Sequence, residues 1–254
     1  MLDEDRVTRP KPAVLTWQSK WVDRFYRSRP GWVDGTTEFH ELCRRLAPSN
    51  ARILEVGAGP TNRTSAFLAG LGELDGLDVS DEVRCNEHLR RSFILQGDAF
   101  PAADSTYDLV VSDYVVEHVA RPAPHLSEIA RVLRPGACYA FRTPNRFHYV
   151  ALAAQLTPFS FHARVSNRLR GLPAEAHDPY PTVYALNTPS AIRLHARTAG
   201  LAVERLDLVE KEPSYGMFAR PAFLVFMAYE RVVNAVAALA FLRANLFVVL
   251  RKPA

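Results

Sequence analysis

Two glycines one residue apart, Gly57 and Gly59, follow an apolar run of Ile53, Leu54 and Val56 that surrounds a single carboxylate, Glu55. A buried strand ending in Gly-x-Gly brings bare backbone close to a ligand, where a Cβ at either glycine would intrude. The residues after it, Thr61 to Leu68, have helical spacing, so the order is strand, tight turn and helix. The helix start offers unpaired N–H groups to an anionic group. Further on, Asp78 sits at the end of a second apolar-rich segment, where a carboxylate accepts from both hydroxyls of a ribose. Loop and acid together describe a mouth for a nucleoside-bearing cofactor.

The elements that position this mouth alternate. Strands are expected at 52–56, 73–79, 93–96, 107–112 and 138–142. A helix from Asp81 to Arg91 follows Ser80 as N-cap, and another from Ala123 to Leu133 stops at Arg134-Pro135-Gly136. Before them lie a charged leader, residues 1–12, and two helices between Trp17 and Leu46 interrupted at Arg29-Pro30-Gly31. The segment Asp34 to His40 is expected to lean over the cofactor. After Asn145 the rhythm breaks, then resumes with a helix over 189–198, a strand over 203–210, a long apolar helix over 221–242 and a last strand over 246–250. Strands separated by helices argue for an α/β protein with a mostly parallel sheet. The dinucleotide fingerprint wants a third small residue three places beyond the second glycine, and Asn62 stands there. That argues against a nicotinamide cofactor without deciding for another.

The later segments do decide. QGDAFPAADSTYDLVVSDYVVEHV at 96–119 and LSEIARVLRPGACYAFRTPN at 126–145, with the glycine loop before them, resemble class I S-adenosylmethionine-dependent methyltransferases carrying a type 11 methyltransferase domain. The resemblance covers about residues 50–145. It implies a Rossmann-like, seven-stranded, mostly parallel sheet with an antiparallel last strand, helices on both faces, a helical N-terminal cap and lid insertions. It implies S-adenosyl-L-methionine as cofactor, with Glu55, Gly57, Ala58 and Gly59 against the methionine moiety. Asp78, with Val79 beside it, would hold the ribose, Asp98 and Ala99 the adenine, and Ser112 and Asp113 the methyl end. Pro60-Thr61-Asn62 departs from the commoner glycine, and the Thr61 hydroxyl could serve the carboxylate. The division implied is a cap at 1–50, a cofactor half at 51–145, a lid at 146–187, and a C-terminal half at 188–254 with a helical insertion at about 212–244.

Methyl transfer from a sulfonium is an in-line displacement, so alignment and exclusion of water matter most. A base is needed only if the acceptor must lose a proton. Candidates are Asp113, His118 and His148, with Tyr114 and Tyr149 as shapers; His162, His177, Asp178, Tyr180 and Tyr184 fall in the lid segment. Methylation of an oxygen on a small-molecule, glycan or lipid-linked acceptor is favoured. A nicotinamide-dependent oxidoreductase and a non-catalytic binding protein are the competing readings. No spacing supports a metal site. The helix at 221–242 has a wide apolar face (Phe223, Phe226, Met227, Val233, Val236, Leu239, Leu242) that suits its own core, a homodimer seam or a membrane surface. A net charge of +4 is weak support for nucleic acid, and none is expected as partner. Three scattered cysteines, an N-terminus unlike a signal peptide and no window of 18 uncharged apolar residues point to the cytoplasm, with peripheral membrane contact open.

Overall fold

The computed structural model describes residues 16–156, 180–213 and 216–254. The expected leader at 1–12 and His162, His177 and Asp178 lie outside them. The chain divides into two units, Met1–Val33 and Asp34–Ala254. In the smaller, helix α1 (Trp17–Val22) is capped by Thr16 and runs into a single wide turn, Asp23–Arg27. Trp17, Trp21 and Phe25, one helical turn apart, stack edge to face at 5.5 and 5.8 Å.

The larger unit begins with α2 (Gly35–Leu46), whose N-cap Asp34 accepts from the N–H groups of Thr36 and Thr37 at 3.0 and 2.9 Å. There follow β1 (Ala51–Val56), α3 (Arg63–Ala69), β2 (Gly72–Asp78), β3 (Arg91–Ile94), β4 (Tyr107–Asp113), α4 (Pro122–Val132), β5 (Leu133–Pro144), α5 (Tyr149–Leu156), α6 (Pro189–Thr198), β6 (Ala202–Val209), α7 (Arg220–Ala235) and β7 (Asn245–Arg251). The seven strands form one sheet in the order β3-β2-β1-β4-β5-β7-β6, parallel except for β7, which runs against both its neighbours.

Alternation along the strands builds a core on each face. Ile53, Leu109 and Val111 pack with Phe39 and Leu42 of α2 and Leu68 of α3. Leu54 and Val110 point the other way, to Leu126 and Ile129 of α4 and Ile192 of α6. Buried on both faces, these strands read as nearly continuous apolar runs, and for that reason they are legible.

Three expected elements differ. The helix over 81–91 is only a tight turn, Asp81–Cys85, because Asn86 extends there and its side chain turns toward the glycine loop. Gly136 does not separate α4 from a short strand. Leu133 already pairs with Tyr107, and a bulge absorbs Arg134 to Ala137 before Cys138 pairs with Leu109. The helix over 221–242 breaks at Val236, whose backbone is extended, and continues as a tighter turn, Ala237–Leu242. Among the described residues no helix is long and apolar enough to cross a membrane.

Candidate active site

A cleft of about 940 Å³ opens at the carboxyl ends of β1, β2 and β4. It lies where β1 and β4 are neighbours and the strand order reverses, the usual ligand crevice of an open α/β sheet. Gly57 leaves β1 at φ +82° with its N–H donating to the Leu77 carbonyl at 2.7 Å. A Cβ there would stand 2.1 Å from Cγ2 of Val115. Gly59, at φ +56°, has no atom within 4 Å of a would-be Cβ. The two glycines therefore differ: Gly57 avoids the chain's own valine, whereas Gly59 supplies a left-handed turn beside open space.

The third position of the loop explains itself. Asn62 is the N-cap of α3, its Oδ1 accepting from the Ser65 N–H at 2.8 Å, so the helix starts later than Thr61. Its Nδ2 donates to the Ala58 carbonyl at 2.8 Å and to Glu55 at 3.3 Å. Glu55 also accepts from Ser65 Oγ at 2.6 Å. Burial raises the Glu55 carboxyl to about 7, against the pull of those two hydrogen bonds. Asn86, which sequence reading left inside a helix, donates to the carbonyls of Ala58 and Gly59 and to Ser65 Oγ at 3.0–3.3 Å. Two asparagines thus pin the loop from below, and neither belongs to a recognisable motif.

Asp78 ends β2 at the cleft, accepting from the N–H of Gly59 and of Ser80 at 2.9 Å each. Each carboxylate oxygen keeps a second acceptor site, so Asp78 both shapes the loop and can take a hydroxyl. Val79, 60% exposed, lines the same wall, as does Thr61. Asp98 lines the far end and forms an ion pair with exposed Arg121. Ala99 is exposed and is not among the residues that line the cleft, so its side chain builds no wall there. Phe100, Val119 and His125 do line it; burial drives the His125 imidazole down to about 4 and leaves it neutral. Among the described residues no three side chains converge as a metal site.

At the other end Asp113 does not stand free. Arg142 holds both its oxygens, through Nε and through Nη2 at 2.9 Å, and Thr64 Oγ1 donates to it at 2.6 Å. Arg142 also reaches Thr36 at 3.0 Å and lies between the rings of Phe39 and Tyr114, 5.3 and 4.7 Å from their centroids. Burial opposes the Arg142 charge most strongly, but the hydrogen bond to Asp113 and the Asp113 charge together hold the guanidinium pKa up. His40 meets Thr64 at 3.0 Å, so the Asp34–His40 segment reaches the cleft floor mainly through Thr36 and this contact. Ser112, expected at the methyl end, is instead fully buried: neighbouring strand residues face opposite ways, and its Oγ accepts from Tyr139 in the core. Exposed Arg63, at the first position of α3, joins the lining.

The histidines separate. His118 lines the cleft, with its Nδ1 3.0 Å from the Pro181 carbonyl oxygen. A carbonyl only accepts, so Nδ1 carries the proton and Nε2 of the neutral ring keeps its lone pair. The Glu117 carbonyl takes the N–H groups of Val183 and Tyr184 at 2.7 and 3.1 Å, and Tyr180, Pro181 and Val183 complete the cleft wall. Tyr184 is buried. Tyr114, strained at φ +56°, lines the cleft while its hydroxyl donates to Asn245 at 3.1 Å. His148 is elsewhere: it is buried, outside the cleft lining, packed on Tyr149 and Tyr229 and 3.7 Å from Glu210. Burial pushes its pKa down to about 4. The expectation that His148 touches substrate is therefore corrected, and Tyr149, stacked on Phe226, moves with it.

Strand order and crevice define a Rossmann-like methyltransferase fold, and comparison with known proteins agrees. The methyltransferase-domain family model matches residues 54–141. A probable S-adenosylmethionine-dependent methyltransferase of Mycolicibacterium smegmatis is 32% identical over 151 residues, 56% of this chain and 58% of that one. The malonyl-[acyl-carrier protein] O-methyltransferase of Methylococcus capsulatus is 28% identical over 213 residues, 77% of this chain and 71% of that one. In structure, the [4+2]-cyclase SpnF aligns with a TM-score of 0.55 at 16% identity, covering 89% of this chain and 85% of that one, which speaks to fold alone. Residues 54–141 thus carry a methyltransferase domain, and the relatives and structural neighbours support the class I S-adenosylmethionine-dependent type. The nicotinamide and non-catalytic readings give way to it.

Proposed function

We propose that this chain binds S-adenosyl-L-methionine in the cleft and transfers its methyl group to an oxygen of a small-molecule, glycan or lipid-linked acceptor. The observation that supports this most is the bare loop at Gly59, open on the side where Asp78 presents its carboxylate. Asp78 would hold the ribose hydroxyls, with Val79, Phe100 and Val119 as walls for the base and Asp98 at its edge. Thr61 and Arg63 stand where a carboxylate would meet the start of α3. When bound, the cofactor supplies an electrophilic methyl on sulfur.

The chain's own residues align the acceptor and keep water out, and such positioning is worth roughly 7–11 kcal/mol. His118 Nε2 takes the acceptor hydroxyl proton while Nδ1 stays anchored on the Pro181 carbonyl. General bases contribute on the order of 10²–10⁴-fold. Tyr114, Tyr180 and Val183 shape the acceptor end. The Methylococcus relative is named for methylation at oxygen, which favours the same atom type here. Free thiols at Cys43, Cys85 and Cys138 suit a cytoplasmic setting.

Calorimetry with S-adenosylhomocysteine is the direct test. Wild type should bind and Asp78→Ala should lose at least about tenfold in affinity, as expected for a lost charge-assisted hydrogen bond. A wild type that ignores this ligand refutes the reading. Fractionated cell extract with labelled methyl donor then finds the acceptor. On that acceptor His118→Ala should lose about 100-fold or more in turnover with little change in cofactor affinity.

A further inference from the structure

We propose that α7 and the turn after it lie on an anionic lipid surface. At 3.6 residues per turn, Pro221, Leu224, Val225, Ala228, Val232 and Ala235 fall within an arc of roughly 100°. All six are exposed, Val225 to 66% and Val232 to 50%. The opposite face carries Phe223, Glu230 and Val233 into the protein. The face that looks out is thus not the apolar face expected from sequence, and polar Glu230 is on the inside. Phe218 before the helix and Val236 and Phe241 after it are exposed as well. Apolar surface gathered in one strip marks an interaction site, whereas scattered exposed residues do not.

Charge selects the partner. Glu230 is the sole Asp or Glu from Gly216 to Ala254, and it is buried, accepting from Asn234 and paired with Arg231. Arg220 stands exposed at the first turn, and Arg231 and Arg243 are half-buried along the same segment. An isologous seam with a second copy would bring the net positive charge of this segment, three arginines against the single Glu230 from Gly216 to Leu250, face to face with itself. A bilayer bearing anionic headgroups satisfies both features, as amphipathic helices lying in an interface do. Among the described residues no helix is fit to span a bilayer, so the contact is peripheral.

Placement gives the contact a use. The insertion carrying α7 leaves the sheet after Val209 and returns at Asn245, which pairs with Pro144 at the end of β5. Asn245 also accepts from Tyr114, a residue of the cleft wall. The strip is therefore rooted at the sheet edge where the cleft opens. Resting on the methyl-transfer reading, this favours an acceptor presented from the lipid surface.

The experiment is sedimentation of the full chain with phosphatidylcholine vesicles, with and without phosphatidylglycerol. Wild type should pellet with the phosphatidylglycerol vesicles and far less with phosphatidylcholine alone. Val225→Asp combined with Val232→Asp should cut the bound fraction on the order of tenfold. Neither residue lines the cleft, so S-adenosylhomocysteine affinity should stay at the wild-type value and reports that the variant has folded. Arg220→Glu alone should reduce binding to the anionic vesicles several-fold, which keeps the test alive if the double variant misfolds. A wild type that stays in the supernatant with both vesicle types overturns the proposal, as does a folded double variant that binds equally well. A wild-type dimer that the double variant makes monomeric, without vesicle binding, assigns the strip to a second copy and also overturns it. Vesicle binding needs no methyl transfer: loss of the methyltransferase reading would show in calorimetry and leave this result standing.

Discussion

Arg142 and Asp113 hold the floor of the cleft as a buried ion pair, 6% and 13% exposed, with hydroxyls of Thr36 and Thr64 filling in around them. Such a pair contributes little against an apolar replacement of both partners, but removing one leaves the other charge buried and uncompensated. Arg142→Gln should therefore cost about 3–5 kcal/mol in urea unfolding. An unfolding free energy within about 1 kcal/mol of wild type would show that water screens the site after all. His148 makes the contrasting case. Packed on two tyrosines and outside the cleft lining, it should matter to stability and not to chemistry. His148→Ala should lower stability by about 1–3 kcal/mol while turnover per folded molecule stays near wild type. A turnover loss comparable with that of His118→Ala would return His148 to the mechanism.

At the scale of elements, the glycine loop is where strand, turn and helix must agree. Gly57→Ala drives a Cβ into Val115 at 2.1 Å and sits at φ +82°, so both packing and backbone resist it. Gly59→Ala meets no atom within 4 Å and bears only the left-handed backbone penalty, about 1–2 kcal/mol. The denaturant midpoint of the ligand-free protein should fall far more for Gly57→Ala than for Gly59→Ala. Val115→Ala added to Gly57→Ala should recover part of the loss; no recovery would mean that backbone strain, and not the clash, dominates. Asn62 has two tasks in the same loop, capping α3 and holding Glu55. Asn62→Ala should cost about 1 kcal/mol for the cap alone, and more if Glu55 is left short of a partner.

For the molecule as a whole, buried titratable groups set the dependence of stability on pH. Burial raises Glu55 and Glu117 to about 7 and Glu210 to about 8, from an ordinary 4.5. Their folded state binds the extra protons, so their contribution is complete below 4.5 and is lost as pH rises through 7 to 8. His125 and His148, driven down to about 4 from 6.5, act oppositely: their contribution is complete above 6.5 and is lost as pH falls toward 4. Between 4.5 and 6.5 the two sets oppose each other, and above 6.5 only the carboxyls act. The ligand-free protein should therefore lose stability from pH 6.5 to 8, on the order of 1 kcal/mol per pH unit for each carboxyl still titrating. Glu210→Gln should flatten that slope, and a wild-type urea midpoint that is level or rising over the interval contradicts it. The sequence alone determined where the strands of the cofactor half fall along the chain, the loop at Gly57–Gly59 and the acid at Asp78, because two-faced burial and left-handed turns leave local residue patterns. It could not separate His118 from His148, or Asp113 from Ser112, since histidine carries no periodic signature and a one-residue step along a strand reverses the face. Which face of the 221–242 segment looks outward, and what pins the loop from Asn86, depended on distant parts of the chain meeting. Contacts between residues far apart in sequence, with the burial they bring, were settled only by the tertiary structure.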